Sequence, residues 1–124
     1  MKSLHILHAE AAAGWGGQEI RVLQETQLLL ERGHRVSLVC HADSPLEARA
    51  KSIINLRFQL LAIPMKSALS LKVLINLYSY ISKNNIDVIH THSSIDSWLG
   101  GVAGKLLGVP VIRTRHVSLP VNDY

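Results

Sequence analysis

Apolar positions along this chain follow two rhythms. Short, nearly continuous runs recur at Leu4-His5-Ile6-Leu7, Arg35-Val36-Ser37-Leu38-Val39-Cys40, Phe58-Gln59-Leu60-Leu61-Ala62-Ile63, Asp87-Val88-Ile89-His90-Thr91 and Val111-Ile112-Arg113-Thr114. Runs of that kind are the mark of strands buried in a sheet. Between them apolar residues return at every third or fourth position, which gathers them on one face of a helix. Ile20, Leu23, Leu28 and Leu30 define the first such face and Leu71, Leu74, Ile75, Tyr78 and Ile81 the third. The run at Phe58–Ile63 could also be a buried helical piece, since periodicity alone does not separate the two.

The punctuation agrees with the rhythm. Gly33 stands where a left-handed residue closes the first helix at about Arg32, and the second strand starts at once. Ser44 and Glu47 match a capping box with Pro45 at the first helical position, so the second helix starts near Pro45 and fades by Asn55. The third helix covers roughly Leu69 to Asn84; Ser93 or Ser94 caps a fourth, with Asp96 in its first turn, and Gly108 and Pro110 end it. Gly100, Gly101 and Gly104 fall inside that fourth helix, where each costs about 1 kcal/mol relative to Ala. Close packing of the helix on its neighbours is the compensation they predict.

Strict alternation of strand and helix implies right-handed crossovers and a parallel sheet covered by helices on both faces, a Rossmann-like α/β domain spanning residues 1–124. The expected strand order is 3-2-1-4-5. The chain reverses direction between strands 1 and 4, so a ligand is expected in the crevice at their carboxyl ends. The turn leaving strand 1, Gly14-Trp15-Gly16-Gly17-Gln18-Glu19, faces that crevice. Its glycines let another molecule approach the backbone, and the helix that follows offers unpaired N–H groups that suit an anion.

Composition narrows the setting. With 48% hydrophobic residues in 124, the chain can bury a core, and no apolar stretch reaches the roughly 18 to 20 residues of a membrane span. No secretory signal is legible, and the single Cys40 cannot form an internal disulfide, so a cytoplasmic setting is expected. The net charge of +4 is spread along the chain without the clustered stripe of a nucleic-acid binder. Arg49, Lys51, Arg57, Lys66 and Lys72 accompany the third helix and suit an anionic membrane surface. The favoured reading, though, has Leu71, Leu74, Ile75 and Ile81 packing on the sheet.

The candidate chemistry is thin. A dinucleotide fingerprint needs a third glycine where Glu19 stands, and no Lys-Ser or Lys-Thr follows the glycines to make a P-loop. His8, His41, His92 and His116 fall at or near strand carboxyl ends. A metal reading would pair His90 with His92, but no carboxylate or cysteine near them in sequence completes a site, so no metal is expected. His90 reads as an imidazole hydrogen-bonded inside the sheet.

Taken as a series, Gly14-Trp15-Gly16-Gly17-Gln18-Glu19, Gly33-His34-Arg35-Val36, Asp87-Val88-Ile89-His90-Thr91-His92 and Gly108-Val109-Pro110-Val111-Ile112-Arg113-Thr114-Arg115-His116 resemble the N-terminal lobe of family 4 glycosyltransferases. The resemblance implies a two-lobed GT-B architecture and retaining transfer from a nucleotide-sugar donor to a glycan or lipid-linked acceptor, as in lipopolysaccharide or surface-polysaccharide synthesis. It implies no required metal and no cofactor. It makes Gly16 and Gly17 the backbone that approaches the donor and His116 the catalytic residue beside the donor sugar, with His92 and Glu19 on the acceptor side. Such lobes continue past the equivalent of Tyr124 into a second lobe, so these residues alone are expected to be inactive. The other readings are a non-catalytic nucleotide-binding or interaction module and, more distantly, a nicotinamide oxidoreductase.

Overall fold

The computed structural model describes residues 3–11, 16–64, 71–92 and 94–113. The elements run β1 (His5–Glu10), α1 (Gly17–Glu31), β2 (Arg35–His41), α2 (Pro45–Ala50), β3 (Phe58–Ile63), α3 (Leu71–Lys83), β4 (Val88–Thr91), α4 (Ser94–Leu107) and β5 (Val111–Arg113). All strand pairs are parallel, in the order β3-β2-β1-β4-β5. The expected Rossmann-like sheet is therefore the observed one, and the order in which the chain adds strands reverses between β1 and β4.

Alternation along the strands sorts the core into two layers. Leu7, Val39 and Ile89 point to one face and pack with Val73, Leu77 and Ile81 of α3 and Leu99 and Ala103 of α4. Leu38 and Cys40 point to the other, against Val22 of α1 and Leu46 and Ala50 of α2. Two glycines of α4 explain how that helix lies so close: a Cβ on Gly104 would stand 2.6 Å from Val111 Cγ2, and one on Gly100 would stand 3.0 Å from Thr91 Cγ2. The third, Gly101, has open space around it.

The caps at Gly33, Ser44 and Gly108 are as the sequence predicts, while Ser93, the candidate cap of the fourth helix, lies outside the described residues. Gly33 and Gly108 adopt φ of 89° and 70° at the ends of α1 and α4, where a side chain would be strained. Ser44 Oγ accepts from the Glu47 N–H at 3.2 Å while Glu47 accepts from the Asp43 N–H, and Pro45 opens α2. That helix stops at Ala50, short of the expected Asn55, with Lys51 as its cap.

Three expectations are corrected. On α1 the buried residues are Glu19, Val22, Thr26 and Leu30, whereas Ile20 and Leu28 are 40% and 46% exposed. On α3 the buried stripe is Val73, Leu77 and Ile81, and Leu71, Ile75 and Tyr78 face outward at 66%, 57% and 40% exposure. In both helices the stripe is set by which residues meet the sheet, and a helix with apolar residues on more than one side does not announce which side that is. Finally, β5 is exposed along its length, Ile112 to 54%, so although α4 lies against Val111, helices do not cover both faces of this edge strand as they do the central ones.

Candidate functional site

Two features converge on the carboxyl ends of β1 and β4. The first is the start of α1. Gly16 is its N-cap and supplies no side-chain cap to the first N–H groups of the helix. Neither Gly16 nor Gly17 is demanded by the fold: Gly16 is extended, and a Cβ on Gly17 would meet nothing within 4 Å. Glycine there adds to what a ligand can approach and nothing to internal packing. Glu19 lies in the first turn and is 6% exposed, its sign suiting the helix dipole.

The second feature is a histidine cluster, which the sheet assembles. Parallel pairing sets His8 directly opposite His90, and His92 follows two residues on, so all three project from the α1 face of the sheet. Their ring centroids lie 5.0 Å apart for His8 and His90, 5.2 Å for His8 and His92, and 4.2 Å for His90 and His92. Helix α1 crosses over them and brings Glu25 Oε2 to 3.8 Å from His90 Nδ1.

His8 is wholly buried. Its Nδ1 shares a hydrogen bond of 3.0 Å with His92 Nε2, while its Nε2 has no hydrogen-bond partner among the described residues. An orphaned buried polar atom costs about 1–3 kcal/mol. Burial, with a smaller contribution from His90, pushes the His8 pKa down to about 3, so the ring is neutral at physiological pH. A groove of about 270 Å³ opens beside the cluster, between Leu28 and Leu29 of α1 and the bare faces of Val88 and Ile112.

The predicted site residues are thus distributed unevenly. Gly16, Gly17, Glu19 and His92 lie at the crevice end of the sheet, and His92, 3% exposed, is part of the histidine cluster. Gly14, Trp15 and His116 lie outside the described residues. The expectation that no carboxylate accompanies the histidines is overturned, because Glu25, distant in sequence, is carried in by α1.

A parallel sheet with its switch point flanked by a glycine turn defines a Rossmann-like ligand-binding domain. Comparison with known proteins narrows this. The model of Glycosyltransferase Family 4 matches residues 15–124. The UDP-Gal:alpha-D-GlcNAc-diphosphoundecaprenol alpha-1,3-galactosyltransferase of Escherichia coli is 33% identical over 122 residues, covering 94% of this chain and 32% of its own length. Among solved structures, a glycosyltransferase from Rickettsia africae superposes with a TM-score of 0.73 at 22% identity over 98% of this chain and 32% of its own. MurG of Acinetobacter baumannii gives 0.70 at 18% over 90% and 35%. At such identities these two structures establish the fold. The chain belongs to glycosyltransferase family 4 and has the fold of its N-terminal lobe. It spans about a third of the length of the relatives it matches.

Proposed function

We propose that this chain is the acceptor-side lobe of a retaining glycosyltransferase that moves a hexose from a nucleotide-linked donor to a lipid-linked glycan at the cytoplasmic face of the membrane. The observation that carries the reading is its similarity, along 94% of the chain, to a galactosyltransferase whose acceptor is a diphosphoundecaprenol-linked sugar. In this reading Gly16 and Gly17 let the donor approach the start of α1, whose N–H groups and dipole favour its diphosphate. His92 and Glu19 border the acceptor side, and His116 stands by the donor sugar. The second lobe supplies the opposite wall of the cleft and, on closing, excludes the water that would otherwise compete as acceptor.

Access to a lipid-linked acceptor calls for a surface that rests on the bilayer. No described helix is long and apolar enough to cross one. The outward stripe Leu71, Ile75 and Tyr78 on α3, with exposed Lys72 beside it, has the amphipathic character of a helix that lies in the interface.

The test is an assay of the two-lobed protein with a panel of nucleotide sugars, UDP-galactose among them, and a diphosphoundecaprenol-linked acceptor. Transfer with the anomeric configuration of the donor preserved supports the reading. Inverted product would remove the retaining mechanism, and nucleotide binding without transfer to any acceptor would favour a non-catalytic module.

A further inference from the structure

We propose that His8, Glu25, His90 and His92 form a binding site for one Zn²⁺ ion, a structural centre that ties β1, β4 and α1 together beneath the crevice. One ligand atom from each of these residues lies within 4.8 Å of every other. Three come from adjacent strands whose register sets the rings side by side, and the fourth comes from the helix packed over them.

The donor set suits the ion. Three imidazole nitrogens and one carboxylate oxygen form a nitrogen-rich, borderline-soft set that zinc accepts in tetrahedral geometry. Bonds of about 2.0–2.2 Å place tetrahedral ligand atoms about 3.4 Å apart, so the set must contract from its present span. The freedom to do so lies in Glu25, whose side chain is 38% exposed, and in His90, at 18%. Four protein ligands leave no open position, which is the pattern of a structural ion and not of one that activates water.

The state of His8 is an independent sign. Its side chain is wholly buried, and Nε2 has no hydrogen-bond partner among the described residues although Glu25, His90 and His92 surround the ring. Hydrogen bonding within the cluster satisfies one nitrogen of His8 and leaves the other over. A cation would give His8 Nε2 the partner it lacks among the described residues. The proposal does not rest on sugar transfer: a zinc that ties strands to a helix is compatible with a transferase that needs no metal for its chemistry.

Chelator-stripped protein titrated with ZnCl₂ against a chromophoric competitor should bind one ion per chain with a Kd below about 1 µM. Co²⁺ in its place should give the intense visible bands of a tetrahedral centre. Glu25→Gln, which keeps the shape of the side chain and removes its charge, and His90→Ala should each weaken binding by about 100-fold or more. Far-UV circular dichroism of the stripped variants checks that they fold, and Glu25→Gln carries the test should His90→Ala fail to. The proposal is overturned if zinc binds more weakly than about 100 µM, if the cobalt spectrum is the pale one of an octahedral ion, or if folded Glu25→Gln binds as tightly as the parent.

Discussion

At the residue scale, the same amino acid does opposite work in different places. Gly104 is required by packing, since a Cβ would lie 2.6 Å from Val111 Cγ2 and 3.0 Å from the Val109 carbonyl oxygen. Val111 is stiff at χ1 and the carbonyl belongs to the backbone, so neither yields cheaply. Gly104→Ala should destabilise the fold by about 1–2 kcal/mol even after the helix-propensity gain, whereas Gly101→Ala, in open space, should stabilise it by up to about 1 kcal/mol. Urea unfolding of the pair decides this, and equal shifts in both would show that α4 does not lie so close to β4 and β5.

His5 gives a second residue-scale expectation. Its Nδ1 faces the Asn84 carbonyl at 2.9 Å, an acceptor only, so that nitrogen carries the proton, while Nε2 lies 2.8 Å from the Ser37 hydroxyl, which also hydrogen-bonds Tyr80 at 2.7 Å. Burial is the main reason its pKa is held below 6.5, outweighing the Asn84 hydrogen bond. The folded state therefore resists a proton that the unfolded state accepts. The contribution of neutral His5 to stability is complete above pH 6.5 and is lost as pH falls from there to the lowered folded value. His5→Gln has nothing to titrate at that position, so the stability difference between parent and variant should shift in the variant's favour as pH drops below 6.5. A difference independent of pH in chemical denaturation would refute this role.

At the scale of elements, what was legible followed the strength of the local signal. Strand β3 was bounded correctly from Phe58 to Ile63 because Arg57 and Pro64 frame an apolar run, and α2 was placed by Ser44, Pro45 and Glu47. Helix faces were harder. Leu71, Ile75 and Tyr78 form a stripe as regular as Val73, Leu77 and Ile81, and only the position of the sheet chooses between them. The histidine cluster was hidden for a related reason: facing His8 with His90 needs the β1–β4 register, and Glu25 enters by the crossing of α1. The outward α3 stripe makes its own prediction. Leu71→Glu with Ile75→Glu should abolish cosedimentation with anionic vesicles and leave thermal stability nearly unchanged, because both side chains are exposed. Binding by Lys72 and its neighbours adds about 1 kcal/mol per basic residue near the surface and should fade with salt. Unaltered binding of the double variant would take α3 off the membrane.

At the scale of the whole molecule, one sheet edge and one helix start make only one wall of a cleft, and the role proposed for His116 belongs to the two-lobed enzyme. Strand β5 pairs with β4 beside the switch point and points the chain toward the crevice; its last residue, Arg113, precedes His116 by three positions. Imidazole can donate a hydrogen bond to a sugar hydroxyl or to the reacting centre, and a positioned group of this kind contributes about 10²-fold or more to rate. In the two-lobed protein His116→Ala should lower kcat by at least about 10²-fold, with thermal unfolding of the same variant measured alongside. A fall in kcat without a matching rise in KM would place the interaction in the transition state and not in substrate binding. Near-normal turnover, or activity lost only in step with stability, would remove His116 from the reaction.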